Sequence, residues 1–198
     1  MQKDYSPLLL YPMQSDVSYF RPQQDFPDRV IVDSPALFVM TDLRVVPAVT
    51  VDARVSIQDA LKKMRHDGVR MLLVIDADKL VQGLITATDL QGEKPLRYLE
   101  QVGGHHDDIE VGHIMTLHER LEVLRMADVL RASVGDIVAT LQQAGRQHAL
   151  VVDEPPAAPL EVVRGIFSAT QISRQLAMPV DTLGPARTFA ELEMALHG

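Results

Sequence analysis

Residues 55–76 read VSIQDALKKMRHDGVRMLLVID, and residues 132–153 read ASVGDIVATLQQAGRQHALVVD. The two stretches align without a gap, and the identical pairs are Ser56/Ser133, Asp59/Asp136, Gly68/Gly145, Leu73/Leu150, Val74/Val151 and Asp76/Asp153. A second block follows each stretch, GLITATDL at 83–90 and GIFSATQI at 165–172, with the insertion EPPAAPLEV before the second. A repeat this long predicts two copies of one supersecondary unit, each burying part of its core against the other.

Each copy has the pattern of a β-α-β-β-α unit. In the first copy Ser56 is a candidate helix N-cap and Gly68 a candidate stop, with an apolar stripe at Ile57, Leu61 and Met64 between them. The predicted elements of this copy are strands at 49–51, 71–75 and 80–86, a helix from 57 to about 66 and a helix from about 88 to 101. Those of the second copy are helices at 133–145 and 170–176 and strands at 148–153 and 162–168, with a first strand somewhere in the lead-in 117–131. The fold class is α/β (α+β).

Four segments follow from this pattern. Residues 1–45 contain five prolines and are predicted to form an irregular N-terminal arm, with a short strand at 29–33. The first unit spans 46–104 and the second 109–180, with the Gly-rich stretch at 103–108 as the linker between them. The tail 181–198 contains a predicted helix at 188–196, opened by a Thr188/Glu191 capping box.

The composition of the chain excludes several classes of function. The formal net charge of −8 argues against nucleic acid or an anionic membrane as partner, and the absence of cysteine excludes disulfides and thiolate metal sites. No apolar run approaches the ~20 residues of a membrane span, so we expect a cytoplasmic protein. The sequence shows no glycine-flanked serine, no phosphate-binding loop of the Walker type and no HExxH, so we expect no enzyme and no catalytic residues.

The two blocks carry a family resemblance. The repeated β-α-β-β-α unit, the run Leu73-Val74-Ile75-Asp76 and the block at 83–90 resemble the CBS domain, named for cystathionine β-synthase. Residues 111–116 (VGHIMT) are similar to the lead-in that often opens such a domain. The resemblance covers roughly residues 41–180 and implies tandem repeats packed as a pseudo-two-fold pair, which often forms a homodimer. It also implies a stand-alone regulator that senses an adenosine-containing ligand (AMP, ADP, ATP or S-adenosylmethionine) and signals to an effector protein, without an obligatory cofactor.

The resemblance also implies which residues bind the ligand. Asp89 takes the ribose hydroxyls, as an ionised carboxylate can accept from both. Thr86 donates to ribose or phosphate, and the backbone at the start of the next helix meets a phosphate. The predicted ligand site comprises Val49, Thr50, Arg70, Met71, Leu72, Thr86, Ala87, Thr88 and Asp89.

Each of these assignments has a structural alternative. Asp89 is equally suited to capping the helix that it begins. Met71 and Leu72 are also expected core residues, and Arg70 is also a solvated charge at a helix end. These alternatives stay open at the level of sequence.

The second copy departs from the pattern, because Gln171 stands where the first copy has Asp89. Its predicted site, with Ser168, Thr170, Gln171 and His148, is expected to be weaker, altered in specificity or empty, since an amide accepts without charge. His148 is predicted to be a half-buried histidine with an internal partner; the alternative is that it stacks on a base or forms a hydrogen bond with it. The histidines and aspartates of the linker suggest a metal site only superficially, and none is expected there. The rival function is a dimeric interaction scaffold that binds no ligand.

Overall fold

The computed structural model describes residues 11–13, 22–154 and 161–182. The strands are β1 (Met40–Asp42), β2 (Thr50–Asp52), β3 (Met71–Ile75), β4 (Val81–Thr86), β5 (Thr116–Leu117), β6 (Val123–Arg125), β7 (His148–Asp153) and β8 (Val162–Ser168). The helices are α1 (Ile57–Asp67), α2 (Ala87–Gln91), α3 (Lys94–Val102), α4 (Val111–Ile114), α5 (Met126–Val129), α6 (Val134–Ala144) and α7 (Ala169–Leu176). Short 3-10 turns lie at Ala36–Val39, His106–Asp108 and His118–Arg120. The predicted helix at 188–196 and residues 1–10 and 14–21 of the predicted arm lie outside the described residues.

The two copies build two four-stranded sheets, ordered β2-β3-β4-β5 and β1-β8-β7-β6. In each sheet the strands that flank the long helix are parallel (β2 with β3, β6 with β7), and the other neighbours are antiparallel. The two sheets therefore have equivalent strand orders, and the mixed α/β fold predicted from the repeat is confirmed.

The long helices form where their caps predicted. The Ser56 hydroxyl accepts a hydrogen bond from the Asp59 N–H at the start of α1, and Ser133 accepts one from Asp136 at the start of α6. Gly68 and Gly145 end these helices with φ of 67° and 61°, the left-handed region that glycine enters without steric cost. Helix and cap signals were thus readable directly from the repeat.

The predicted second helix of the first copy is two helices. α2 ends at Gln91 and α3 begins at Lys94, with Gly92 and Glu93 between them. A Cβ at Gly92 would lie 2.6 Å from the Thr88 carbonyl oxygen, so this backbone approach requires glycine. The predicted single helix to Gln101 was wrong because this break was not recognised.

Part of the predicted arm belongs to the second sheet. Residues 29–33 form no strand; instead β1 follows the 3-10 turn at Ala36–Val39 and pairs with β8, with Met40 opposite Phe167. Met40, Phe167 and their buried neighbours form one hydrophobic core with the second copy. This pairing joins residues far apart along the chain, so local composition did not reveal it.

The lead-in of the second copy makes the reciprocal connection. β5 pairs with β4, and Ile109, Val111 and Ile114 lie in the core of the first copy. The predicted lead-in at 111–116 therefore completes the first sheet. β6 supplies the predicted first strand of the second copy, and α5 follows it as a short helix. Each sheet is thus completed by the segment that precedes the other copy.

A third, smaller apolar cluster lies between the two sheets. Its buried members are Met71 and Leu73 of β3 and Leu150 of β7, with Leu84 and Ile166 packed against them. The two sheets meet through this cluster, and the clefts described below lie on either side of it.

Candidate functional site

Two clefts, each of about 470 Å³, lie where the copies meet. The first cleft is lined by Leu84, Thr86, Thr88, Asp89, Thr116, Leu121, Glu122, Gly145, Arg146, Gln147, His148, Leu150 and Thr182. The second cleft is lined by Thr41, Leu43, Val46, Pro47, Ala48, Val49, Gly68, Val69, Arg70, Met71, His148, Ile166, Ser168, Thr170, Gln171 and Arg174. Equivalent residues of the two copies line different clefts: Thr86 corresponds to Ser168, Thr88 to Thr170 and Asp89 to Gln171. Both copies contribute to both clefts.

The structure divides the residues predicted for one ligand site. Asp89, Thr86 and Thr88 line the first cleft, whereas Val49, Arg70 and Met71 line the second. The reason is topological: the start of α2 faces Gln147 and His148 of the second copy, while β2 and the start of β3 face the start of α7. One copy therefore supplies the two halves of different clefts.

The remaining predicted residues lie behind the lining. Leu72 is fully buried and Ala87 is nearly so, both in the core of the first copy. Thr50 is half-buried in β2, opposite Leu73. The core alternative holds for Leu72, and Met71 is both a core residue and a lining residue.

Asp89 is held by three donors. Its Oδ2 accepts the Thr86 N–H at 2.9 Å and the Thr86 hydroxyl at 2.7 Å, and the Asp89 N–H donates to that hydroxyl at 3.1 Å. Its Oδ1 is 2.8 Å from the Lys94 ammonium. The capping role of Asp89 is thus present, and its carboxylate also lines the cleft.

Lys94 connects Asp89 to the lead-in segment. Its ammonium lies 3.2 Å from the Ile114 carbonyl oxygen and 3.2 Å from the Thr116 hydroxyl oxygen. Thr116 lines the first cleft from β5. The Lys94 side chain therefore connects Asp89, which lines the first cleft, to the segment that leads into the second copy.

The opposite wall of the first cleft carries charges that the sequence interpretation missed. Arg146 and Glu122 line it and form an ion pair of 2.9 Å. The repeat gave a usable signal, because Arg146 directly precedes Gln147 and His148, which align with Arg70 and Met71 of the predicted site. Thr182, which follows α7, is a buried lining residue with no such signal.

The start of α7 in the second cleft is organised differently from α2. Ser168 makes no side-chain capping hydrogen bond. The Gln171 amide oxygen accepts from Arg174, and its nitrogen donates to Gln175 Oε1 at 2.9 Å. Gln175 in turn donates to the carbonyl oxygens of Pro27 and Phe38, each at 3.0 Å. The amide that replaces Asp89 thus joins a network directed toward the N-terminal segment.

His148 lines both clefts from the start of β7, where it lies opposite Ser168. Burial lowers the pKa of His148 to about 4; the positive charge of Arg70 acts in the same direction, and Asp89 opposes it. The imidazole is therefore neutral at physiological pH. A neutral ring has one donor and one acceptor nitrogen to offer at the junction of the clefts.

The histidines near the linker have other partners. His113 stacks on Tyr98, with ring centroids 4.6 Å apart, and His118 Nδ1 lies 3.2 Å from the Gln82 carbonyl oxygen. Across residues 11–13, 22–154 and 161–182, no three metal-ligating side chains come together. Within the same ranges no helix has the length and apolar character needed to cross a membrane.

A comparison with family models matches residues 39–93 to the CBS domain. This match covers the first sheet's β2, β3 and β4 together with β1 and α2. Residues 39–93 are therefore similar to a CBS domain, and the two units of the chain have the fold of a CBS pair. No curated protein matches the chain.

Solved structures share the fold. An uncharacterised conserved protein from Pyrococcus horikoshii is 23% identical, with a TM-score of 0.51 over 72% of this chain and 92% of that chain. CBSX2 of Arabidopsis thaliana, solved in complex with AMP, is 21% identical, with a TM-score of 0.50 over 71% of this chain and 93% of that chain. These similarities establish the architecture of the pair.

Proposed function

We propose that this protein is a regulatory module that binds an adenosine-containing ligand in the first cleft and signals the bound state to an effector protein. The observation that carries the proposal is the position of the Asp89 carboxylate and the Thr86 hydroxyl in a cleft of about 470 Å³ between the two copies. A cleft of this size is within the range that takes small-molecule ligands. The complex of CBSX2 with AMP supports the ligand class.

Ribose binding requires Asp89 to give up an internal partner. A carboxylate offers about four lone-pair positions, and the N–H and hydroxyl of Thr86 together with Lys94 occupy three of them. Two ribose hydroxyls need two positions, so one internal donor has to leave. Lys94 is the donor whose departure costs least locally, because Thr86 is fixed within the same helix cap.

The displaced Lys94 gives the ligand a route to the rest of the fold. Its contacts to Ile114 and Thr116 hold the segment from α4 to β5, which completes the first sheet and continues into the second copy. A ligand that releases Lys94 from Asp89 changes the anchoring of this segment. This coupling is the proposed signal to a partner, and it requires a different free energy of binding in the two arrangements.

The ligand class is tested by thermal unfolding with AMP, ADP, ATP and S-adenosylmethionine. A ligand present at about 100 times its dissociation constant adds about 2.7 kcal/mol of stability. At this chain length we expect a rise in Tm of roughly 5–10 °C for the bound ligand. No rise with any of the four would contradict the proposal.

The second candidate function is a dimeric interaction scaffold without a ligand. The observation that favours it is that Asp89 and Gln171, the two residues at the ribose-binding position of the repeat, both have internal partners. Exposed apolar side chains on α3, Leu96 and Val102, offer a contact surface for another chain. The purified protein distinguishes the two functions, since bound adenine gives excess absorbance near 260 nm in a chain without tryptophan.

A further inference from the structure

The two clefts differ in charge although the repeat makes them equivalent. The described lining of the first cleft contains two carboxylates, Asp89 and Glu122, and one guanidinium, Arg146. The described lining of the second contains two guanidinium groups, Arg70 and Arg174, and no carboxylate. The difference arises from substitutions at paired positions. Gln171 replaces Asp89, and Val49, the residue before β2, is equivalent by strand register to Glu122, the residue before β6.

We propose that the second cleft is the site for the phosphorylated ligand, a nucleoside di- or triphosphate, and that the first cleft takes an adenosine ligand without a phosphate chain. This assignment rests on the proposed function and gives each cleft its ligand class. Guanidinium groups bind phosphate through charge-assisted, bidentate hydrogen bonds, whereas a nearby carboxylate repels it. In a chain of net charge −8, a cleft with two cations and no carboxylate is a local attraction for anions.

The start of α7 supports this assignment. Asp89 closes the start of α2 with a capping box, but Gln171 forms no such box on α7, and the Ser168 hydroxyl makes no capping hydrogen bond. The Ser168 hydroxyl therefore remains able to donate to an anion from the same wall as Arg174. The amide at position 171 removes a negative charge and a helix cap together, which changes the cleft from one suited to ribose hydroxyls to one suited to phosphate.

The apolar part of the second cleft suits the base. Val49, Met71 and Ile166 line it together with Pro47 and Ala48. His148 is neutral and partly exposed to this cleft, so its ring adds a flat surface without adding charge. An apolar slot next to two arginines matches a molecule with an aromatic base at one end and a phosphate chain at the other.

Calorimetry with two probes, ATP and adenosine, tests the assignment. Each probe is titrated into three proteins: wild type, the double variant Arg70→Gln/Arg174→Gln, and Asp89→Ala. We expect the double variant to bind ATP at least tenfold more weakly and adenosine as wild type does. We expect Asp89→Ala to lose adenosine and keep ATP. Arg146→Gln, which removes the arginine of the first cleft, is the matched control and should leave ATP binding unchanged.

The outcomes separate this inference from the proposed function. If ATP binding is unchanged in the double variant, or is lost in Asp89→Ala or Arg146→Gln, the second cleft is not the phosphate site, and the assignment is overturned while adenosine binding to the first cleft stands. If wild type binds neither probe and also binds neither AMP, ADP nor S-adenosylmethionine, the proposed function itself fails. Raising the salt concentration should weaken ATP binding more than adenosine binding, and equal weakening would also contradict the assignment.

Discussion

The Asp89 Oδ1 and the Lys94 Nζ lie 2.8 Å apart, and the same ammonium is shared with the Ile114 carbonyl and the Thr116 hydroxyl. The residue proposed to bind ribose is therefore tied to the segment that joins the two copies. Asp59 and Lys62 in α1 form an ion pair of the same length, 2.8 Å, but face solvent outside both clefts. The Asp59–Lys62 pair can therefore serve as an internal control for the Asp89–Lys94 pair.

Lys94→Met should strengthen adenosine binding several-fold, because Asp89 then has a position free for the ribose hydroxyls. Calorimetric titration of the variant against wild type measures this. Lys62→Met removes the equivalent cation from Asp59 and should leave binding unchanged. Weaker binding in Lys94→Met would show that Lys94 contacts the ligand itself and would contradict the displacement argument.

His148 should make the stability of the fold depend on pH. Its pKa is about 4 in the folded chain and about 6.5 when unfolded, so protonation favours the unfolded state. The stabilisation is complete above pH 6.5 and is lost as the pH falls from 6.5 to about 4, by up to about 3 kcal/mol. Urea unfolding across this range measures the loss.

His148→Met, which places in the second copy the residue found at position 71, should flatten that dependence. His106→Gln, a change at an exposed histidine, should not. An unchanged pH profile in His148→Met would show that another group is responsible.

A second pH dependence should arise from the ion pair of Asp42 and Arg164. Arg164 Nη2 donates to Asp42 Oδ2 at 2.8 Å, and Arg164 is buried with Asp153 nearby. Burial raises the pKa of Asp42, but the hydrogen bond from Arg164, the Arg44 N–H and both positive charges together lower it below its ordinary value. The stabilisation is therefore present above about pH 4 and is lost as the pH falls through the folded pKa.

Asp42→Asn should destabilise the fold at pH 7 by about 3 kcal/mol, since it leaves a buried guanidinium short of its counter-charge. The effect should shrink toward acid, where the wild-type carboxylate is also neutral. Asp78→Asn in an exposed turn is the control and should have little effect. Equal losses at pH 7 and pH 3 would contradict the ion-pair explanation.

Gly83 and Gly165, the glycines that begin the two blocks, should differ in how much their substitution by alanine destabilises the fold. A Cβ at Gly83 would clash with the Thr116 backbone oxygen, whereas one at Gly165 would meet the Met40 side chain, 2.5 Å from its sulfur. Backbone cannot yield as a methionine side chain can, so Gly83→Ala should cost about 3 kcal/mol and Gly165→Ala less. Thermal unfolding of both variants measures the two losses of stability. An equal loss, or a larger loss in Gly165→Ala, would contradict the close approach of β5 to Gly83.

The sequence predicted the parts of the fold that depend on local signals. Helix α1 was recognisable from Ser56 and Gly68, and the repeat carried the same reasoning to α6. β1 was not recognisable, because its place in the second sheet depends on pairing with β8 and on burial of Met40 against Phe167. The sequence placed Asp89 in the site through the family pattern and added Arg70 because it precedes a strand of the same copy. Only the packing of the sheets shows that they line different clefts.

The most direct test of the account compares adenosine binding to wild type, Asp89→Ala and Asp136→Ala by calorimetry. Asp136 forms the same capping box with Ser133 at the start of α6, but it lines neither cleft. Both variants should lose about 1 kcal/mol of stability through the lost cap, and only Asp89→Ala should lose the ligand. Equal binding by all three proteins, or equal loss in the two variants, would contradict a ligand site built on Asp89.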